Sequence, residues 1–195
     1  MSQNMAYVAG FGGGKERGLK MVEESAAAAT NERTDAAFAL VLLYNREQRF
    51  DDALKILEEL RRQYPRNRVV LLEAGSTAIR GHQPAVAEKV LTDGLAMLER
   101  DDRRKMPGEP AIWHYRRGMA RARLGRARDA REDFRAALAT DTPGWIQGRT
   151  HLELARLAAS EGDGASARRE ADEAKATCEK AADSRCVEQA KSVVK

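Results

Sequence analysis

Four small residues recur at one structural place along this chain, and their spacing constrains the fold more than any other feature. Ala53, Ala87, Ala130 and Ala167 each sit near the start of an amphipathic segment, at successive spacings of 34, 43 and 37 residues. A second small residue precedes three of them: Gly75, Gly118 and Ala155. Self-similarity with a period in this range means stacked supersecondary units rather than a single globular core. The small residues mark places where two helices approach closely, because a larger side chain there would overpack at about 1–3 kcal/mol.

Composition fits helices in thin layers. Only 5% of residues are aromatic while 33% are charged, and Pro occurs five times. Layers that touch only their neighbours can be built on Ala, whereas one large core needs bulkier side chains. Helix punctuation follows the same register. Pro84, Pro110 and Pro143 stand where helices should begin, and Gly125 and Gly162 where they should end. The long middle spacing is explained by a charged insertion at Glu99 to Glu109 that contains Met106-Pro107-Gly108 and reads as a loop.

The segments Leu40-Val41 with Tyr44, then Phe50-Asp51-Asp52-Ala53, then Pro65 carry a family pattern, as do Leu124-Gly125-Arg126-Ala127, Asp129-Ala130 and Phe134. With these residues the chain resembles the tetratricopeptide repeat family. The resemblance implies an all-α fold, a right-handed α-solenoid of antiparallel helix pairs with a C-terminal capping helix. The expected organisation is an N-terminal helical half-repeat with a Gly-rich turn over 1–33. Four repeats follow over 34–66, 67–98, 110–142 and 144–182, with the loop insertion at 99–109 and the capping helix at 183–195. The chain departs from the family where Arg117 and Arg121 replace residues that the repeats usually bury.

In that family the first helix of each pair lines a concave groove. Register carries the groove positions to Phe38, Leu42, Asn45 and Arg46 in repeat one and to Leu72, Ser76, Ile79 and Arg80 in repeat two. Repeat three gives Tyr115, Met119 and Arg123, and repeat four Arg149, Leu152 and Arg156. Apolar patches edged with guanidinium groups and almost no acid are the expected chemistry. They suit a protein or peptide segment with hydrophobic anchors and carboxylates, which Arg grips bidentately. Leu42 stands at one of the Asn positions of the clamp that some members use for chaperone C-termini, so that specialised form is not expected.

Other chemistry is poorly represented. The run Gly10 to Lys15 lacks the spacing and the hydroxyl of a phosphate-binding loop. His82, His114 and His151 lie in different units without metal-ligand spacing. No catalytic constellation stands out, so neither an enzyme nor a cofactor is expected. Arg116, Arg117, Arg121, Arg123, Arg126 and Arg128 form a basic stripe. A helical surface binding nucleic acid or an anionic membrane is therefore an alternative, and a structural spacer within a larger protein another. Aromatic interleaving for single strands is absent beyond Tyr115, which disfavours nucleic acid.

Cys178 and Cys186 are eight residues apart. On one unbroken helix their Cα atoms would be about 12 Å apart, too far to bridge. Asp183-Ser184 is a candidate break and N-cap between them, so two readings stand: ordinary thiols, or a disulfide across a hairpin. No apolar run is long enough to span a bilayer and no signal peptide is visible, so the expected location is cytoplasmic. A periplasmic or exported location is the alternative if the chain is part of a longer protein and the cysteines are bridged.

Overall fold

The structure is a computed structural model that describes residues 14–27, 33–139 and 141–193. The described residues form ten α-helices and no strand: α1 Gly14–Ala27, α2 Arg33–Arg46, α3 Phe50–Gln63, α4 Arg68–Arg80, α5 Pro84–Arg100, α6 Glu109–Arg123, α7 Ala127–Leu138, α8 Gly144–Ser160, α9 Gly164–Lys180 and α10 Ser184–Val193. They divide into two compact units, residues 1–81 and 82–195. The glycine run before Gly14 and the helix expected over Met1 to Gly10 lie outside the described residues.

In the first unit α1 packs on α2, α2 on α3 and α3 on α4. Periodicity explains the core. Ala53, Leu57 and Leu60 recur at i, i+4 and i+7 on α3 and are all buried. They meet Leu40, Val41 and Tyr44 of α2 and Val70 of α4. Asp51 and Asp52 in the first turn of α3, with Arg61 and Arg62 in its last, match the helix dipole. Asn67 caps α4 by accepting from the Val69 N–H at 3.0 Å. Burying a side chain such as Leu57 contributes about 1.5–3 kcal/mol.

In the second unit each helix packs on the next from α5 to α10, and α8 also meets α6 and α10. Pro84 opens α5 and Pro110 lies in the first turn of α6, as their position predicted. Glycine sets the helix spacing. A Cβ on Gly94 would lie 2.1 Å from the Trp113 ring, and one on Gly118 would lie 2.5 Å from Phe134. Both rings are fully buried. The anchoring Ala87, Ala130 and Ala167 are buried as well. α10 closes the unit, with Cys186, Val187 and Ala190 against Leu152, Ala174 and Cys178.

The loop insertion is shorter than expected. α5 continues through Glu99 and Arg100, and Glu109 is already helical, so the loop spans residues 101–108. Glu109 is buried, and its Oε2 accepts from the Met106 N–H at 2.9 Å, folding the loop end onto the helix. Helices α4 and α5, which make up the expected second repeat, fall in different units.

Candidate partner-binding surface

The groove positions expected from register do not share one environment. In the first unit Leu42 on α2 is 67% exposed, although its neighbours Leu40, Val41 and Tyr44 are buried. Phe38 is half-buried against the core, Leu72 is half-buried, and Arg46 is exposed. Ile79 is a correction: it is buried and cannot meet a ligand. Tyr115 on α6 and Leu152 on α8 are corrections of the same kind, being part of the cores around Phe134 and Cys178. On α6, Met119 is half-buried and Arg123 exposed.

The expectation of almost no acid also fails, because carboxylates accompany the arginines. Arg80 donates through Nη2 to Glu73 and through Nε to Asn45 Oδ1 at 3.2 Å, and Asn45 donates to Thr77 Oγ1 at 3.0 Å. The first unit thus holds its groove arginine in a polar knot between α2 and α4. Arg156 donates to Glu153 at 2.6 Å, one turn away on α8.

Arg149 is held differently. Its Nε donates to Asp183 at 2.7 Å, and its guanidinium stacks over the Trp145 ring at 5.7 Å. Asp183 is also the N-cap of α10, accepting from the Cys186 N–H at 3.2 Å. The Arg149 bond and that backbone bond hold the Asp183 carboxyl below the usual carboxylate range. Trp145 is 36% exposed, an aromatic face beside a fixed cation. Nothing in the spacing rules for grooves singles Trp145 out. Its signal was its place four residues before Arg149, one turn along the same helix face.

Nearby, burial and then Glu153 push the Tyr115 hydroxyl up to about 12, while Arg116, Arg149 and Arg156 act against the rise. The Tyr115 hydroxyl therefore stays neutral through physiological pH, under a surface richer in cations than anions.

The basic stripe is largely an internal ion network. Asp133 on α7 is 2% exposed. It accepts from Arg117 Nη2 at 2.7 Å and Arg121 Nη1 at 2.9 Å, and His114 Nδ1 lies 3.1 Å away. Burial works to raise the Asp133 pKa, but the His114 and Arg117 bonds and the charges of Arg117 and Arg121 outweigh it and hold it low. Arg121 also donates to Glu88, which accepts from Arg126, while Arg128 pairs with Glu132. Arg117 and Arg121, the departures from the family pattern, are thereby explained: they neutralise a buried carboxylate.

Cys178 and Cys186 are joined, with sulfurs 2.05 Å and Cα atoms 5.9 Å apart. The bridge ties α9 to α10 across the turn at Ala182. Asp183 lies close enough to form a three-donor group with the two sulfurs. Its carboxylate already has partners in Arg149 and Cys186, and a Cβ on Gly148 would meet Cys178 Sγ at 2.4 Å, so the surroundings are closely filled. His151 Nδ1 lies 2.8 Å from Glu170, and no metal-donor group forms around a histidine among the described residues. No described helix is long and apolar enough to cross a membrane.

Helices that pack each on the next within both units define a helical-repeat protein. The Tetratricopeptide repeat family matches residues 34–77. The fold is similar to that of "MamA MSR-1 C2" at a TM-score of 0.62 and 21% identity, covering 92% of this chain and 95% of that one. It is also similar to TTC0263, a thermophilic TPR protein of Thermus thermophilus, at a TM-score of 0.68 and 18% identity, covering 98% and 96% of the two chains. No curated protein matches the sequence. The chain thus carries a tetratricopeptide repeat over residues 34–77, and its fold is the all-α fold of tetratricopeptide-repeat proteins. Proteins of this type are generally non-enzymatic scaffolds for protein–protein interaction.

Proposed function

We propose that the chain holds a partner segment, apolar with acidic groups, on the first helices of its pairs. The observation that carries this reading is the Trp145–Arg149–Asp183 arrangement. Asp183 occupies one edge of the guanidinium and the indole supports its face, so the terminal nitrogens are fixed in position for a carboxylate. Little ordering entropy is then lost on binding. Arg156 lies seven residues further along α8, about 10 Å along the axis. Two acidic side chains three residues apart in a polyproline II segment share one face and span about the same distance. In the first unit Leu42, Phe38 and Leu72 offer apolar anchorage, but Arg80 is held by three partners, Asn45, Glu73 and Thr77, whereas Arg156 is held by Glu153 alone, so acid reading falls to α8 of the second unit.

A peptide array tests this directly. Apolar 12-mers carrying two Glu three residues apart are compared with their Gln isosteres, on wild type and on an Arg149→Ala/Arg156→Ala variant checked by circular dichroism. Retention of the Glu peptides by the wild type alone supports the reading. Equal retention of Glu and Gln peptides, or no effect of the variant, removes α8 as the acid-reading helix.

The cysteine bridge bears on location. Its presence supports an oxidising compartment over the cytoplasm, because glutathione and thioredoxin keep cytosolic thiols reduced. Alkylation of protein taken from its source under acid quench, followed by mass spectrometry, reads this. Two alkylated thiols would return the assignment to a reducing compartment.

A further inference from the structure

The second unit carries another concavity, on the side of α8 away from Arg149 and Arg156. It is lined by Arg131, Arg135 and Leu138 of α7, by His151, Leu154 and Ala158 of α8, and by Asp163, Ser166, Arg169 and Glu170 around the start of α9; it measures about 720 Å³, part of it open to solvent. His151, Leu154 and Ala158 form an i, i+3, i+7 stripe, and Arg149 is about 200° around the helix from His151. The two surfaces therefore share a helix and not a face.

The chemistry of this cleft is layered. Leu138, Leu154 and Ala158 give it an apolar floor, and Leu154 packs on the core beneath. Two of its basic side chains are already occupied: Arg131 is paired with Glu161, and His151 Nδ1 lies 2.8 Å from Glu170. Arg135 has no ion-pair partner among the described residues. Arg169 is 67% exposed, with only long contacts to Glu170 at 3.5 Å and Ser166 at 3.4 Å. Glu170 is already satisfied by His151, and Asp163 by the Ser166 N–H at 3.0 Å. Two arginines with spare donors thus rim an apolar floor, Arg135 on α7 and Arg169 on α9. A carboxylate can be gripped by such guanidinium groups while an aliphatic group beside it fills the floor.

We propose that this cleft is a second docking site, separate from the α8 groove, for a partner peptide in which an aliphatic side chain sits beside a carboxylate. Such a segment covers the floor and meets Arg135 and Arg169 at once. Scaffold proteins with sites on two faces can hold two partners together, and the shared helix α8 sets the spacing between them.

The probe is acetyl-Gly-Leu-Glu-Leu-Glu-Gly-amide, titrated into 15N-labelled full-length protein. Amide shifts at Leu138, Leu154, Ala158 and Ser166 are the expected footprint, saturating below about 1 mM. Replacing both Glu by Gln, or both Leu by Ser, is expected to weaken binding at least about tenfold, as is the exposed-site variant Arg135→Glu/Arg169→Glu. Both arginines are exposed, so that variant keeps its fold, checked by its unperturbed Trp113 fluorescence. The groove variant Arg149→Ala/Arg156→Ala is expected to bind unchanged. Three results overturn the proposal: shifts confined to the Trp145 face, equal binding by the Arg135→Glu/Arg169→Glu variant, or no saturation in the stated range.

Discussion

The two units solve the same packing problem with different materials. The first is filled with aliphatic residues, Leu40, Val41, Leu57, Leu60 and Val70, and its buried phenol, Tyr44, donates to Glu23 at 2.7 Å while Arg49 covers its ring at 4.2 Å. The second adds to leucines such as Leu91 and Leu98 a large share of alanines and two large rings, Trp113 and Phe134, seated against glycines, with an ionic cluster around Asp133 inside it. The family match falls within residues 34–77, in the aliphatic unit. A repeat register can therefore survive when its usual apolar contacts are exchanged for a buried carboxylate with cationic partners. What changes is the failure mode: aliphatic layers tolerate loss of a methyl, whereas a paired charge left alone does not.

The largest test of that contrast is Asp133→Ala. It strands Arg117, Arg121 and His114 around a vacated acceptor, and removing one member of such a buried set costs about 3–5 kcal/mol. Both tryptophans, Trp113 and Trp145, lie in the second unit, so tryptophan fluorescence in a urea titration reads that unit alone. The expected result is a large drop in the fluorescence midpoint. A change under about 1 kcal/mol would mean the network contributes nothing beyond its own desolvation.

The same carboxylate sets the acid response. Its pKa is lower folded than unfolded, so its contribution is complete above the ordinary carboxylate range near pH 4 and fades as pH falls through that range towards the folded value. The fluorescence midpoint of wild type is expected to fall between pH 5 and pH 3 more steeply than that of Asp133→Asn, measured in parallel. Parallel slopes would assign the acid sensitivity to other groups.

Much of this architecture was legible in the sequence, and its gaps have physical causes. Ala53, Ala87, Ala130 and Ala167 are all buried, because a small residue at a close approach is a local requirement that spacing reveals. Partners brought together by packing leave no such trace. Glu88 lies 33 residues from Arg121 and 38 from Arg126, and Asp183 lies 34 from Arg149, so these acids were invisible to a reading along one helix, whereas Glu73 and Glu153 share a helix with Arg80 and Arg156 and were open to it. Ile79, Tyr115 and Leu152 mark the other gap. Each lies at the margin of a helix's inward face, where neighbouring helices decide whether it is core or surface. Gly94 and Gly148 escaped notice because their need is set by Trp113 and Cys178, residues distant in sequence.

The cross-link comes next in size. Closing a span of eight residues between Cys178 and Cys186 restricts the unfolded chain by about 2–3 kcal/mol on the loop-entropy account. Cys178→Ala/Cys186→Ala is expected to lower the stability of the second unit by that amount and to raise amide exchange in α10, with the first unit's far-ultraviolet transition unmoved. If α10 keeps its protection, the cap is held by Val187 and Ala190 without the bridge. Gly94→Ala follows, at about 1–3 kcal/mol, since its Cβ would collide with the Trp113 ring. A shifted Trp113 emission with little loss of stability would show that the ring can move aside.

The smallest effect is the most discriminating, because it concerns backbone that both units share. Five of the described helices are followed by a residue with positive φ, which is Gly at 125 and 162 but Gln48 at φ 59 after α2, His82 at φ 56 after α4 and Ala182 at φ 55 after α9. A non-glycine side chain in that conformation costs about 1–2 kcal/mol, partly offset in a glycine variant by the entropy of a freer unfolded chain. Gln48→Gly and Ala182→Gly are therefore each expected to stabilise their own unit, by about 0.5–1 kcal/mol. Equal gains, read by far-ultraviolet circular dichroism for the first and by tryptophan fluorescence for the second, would place the difference between the units in their side chains. A gain confined to Ala182→Gly would instead show that the Gln48 side chain offsets the strain of its own backbone, and the contrast between the units would extend to their turns.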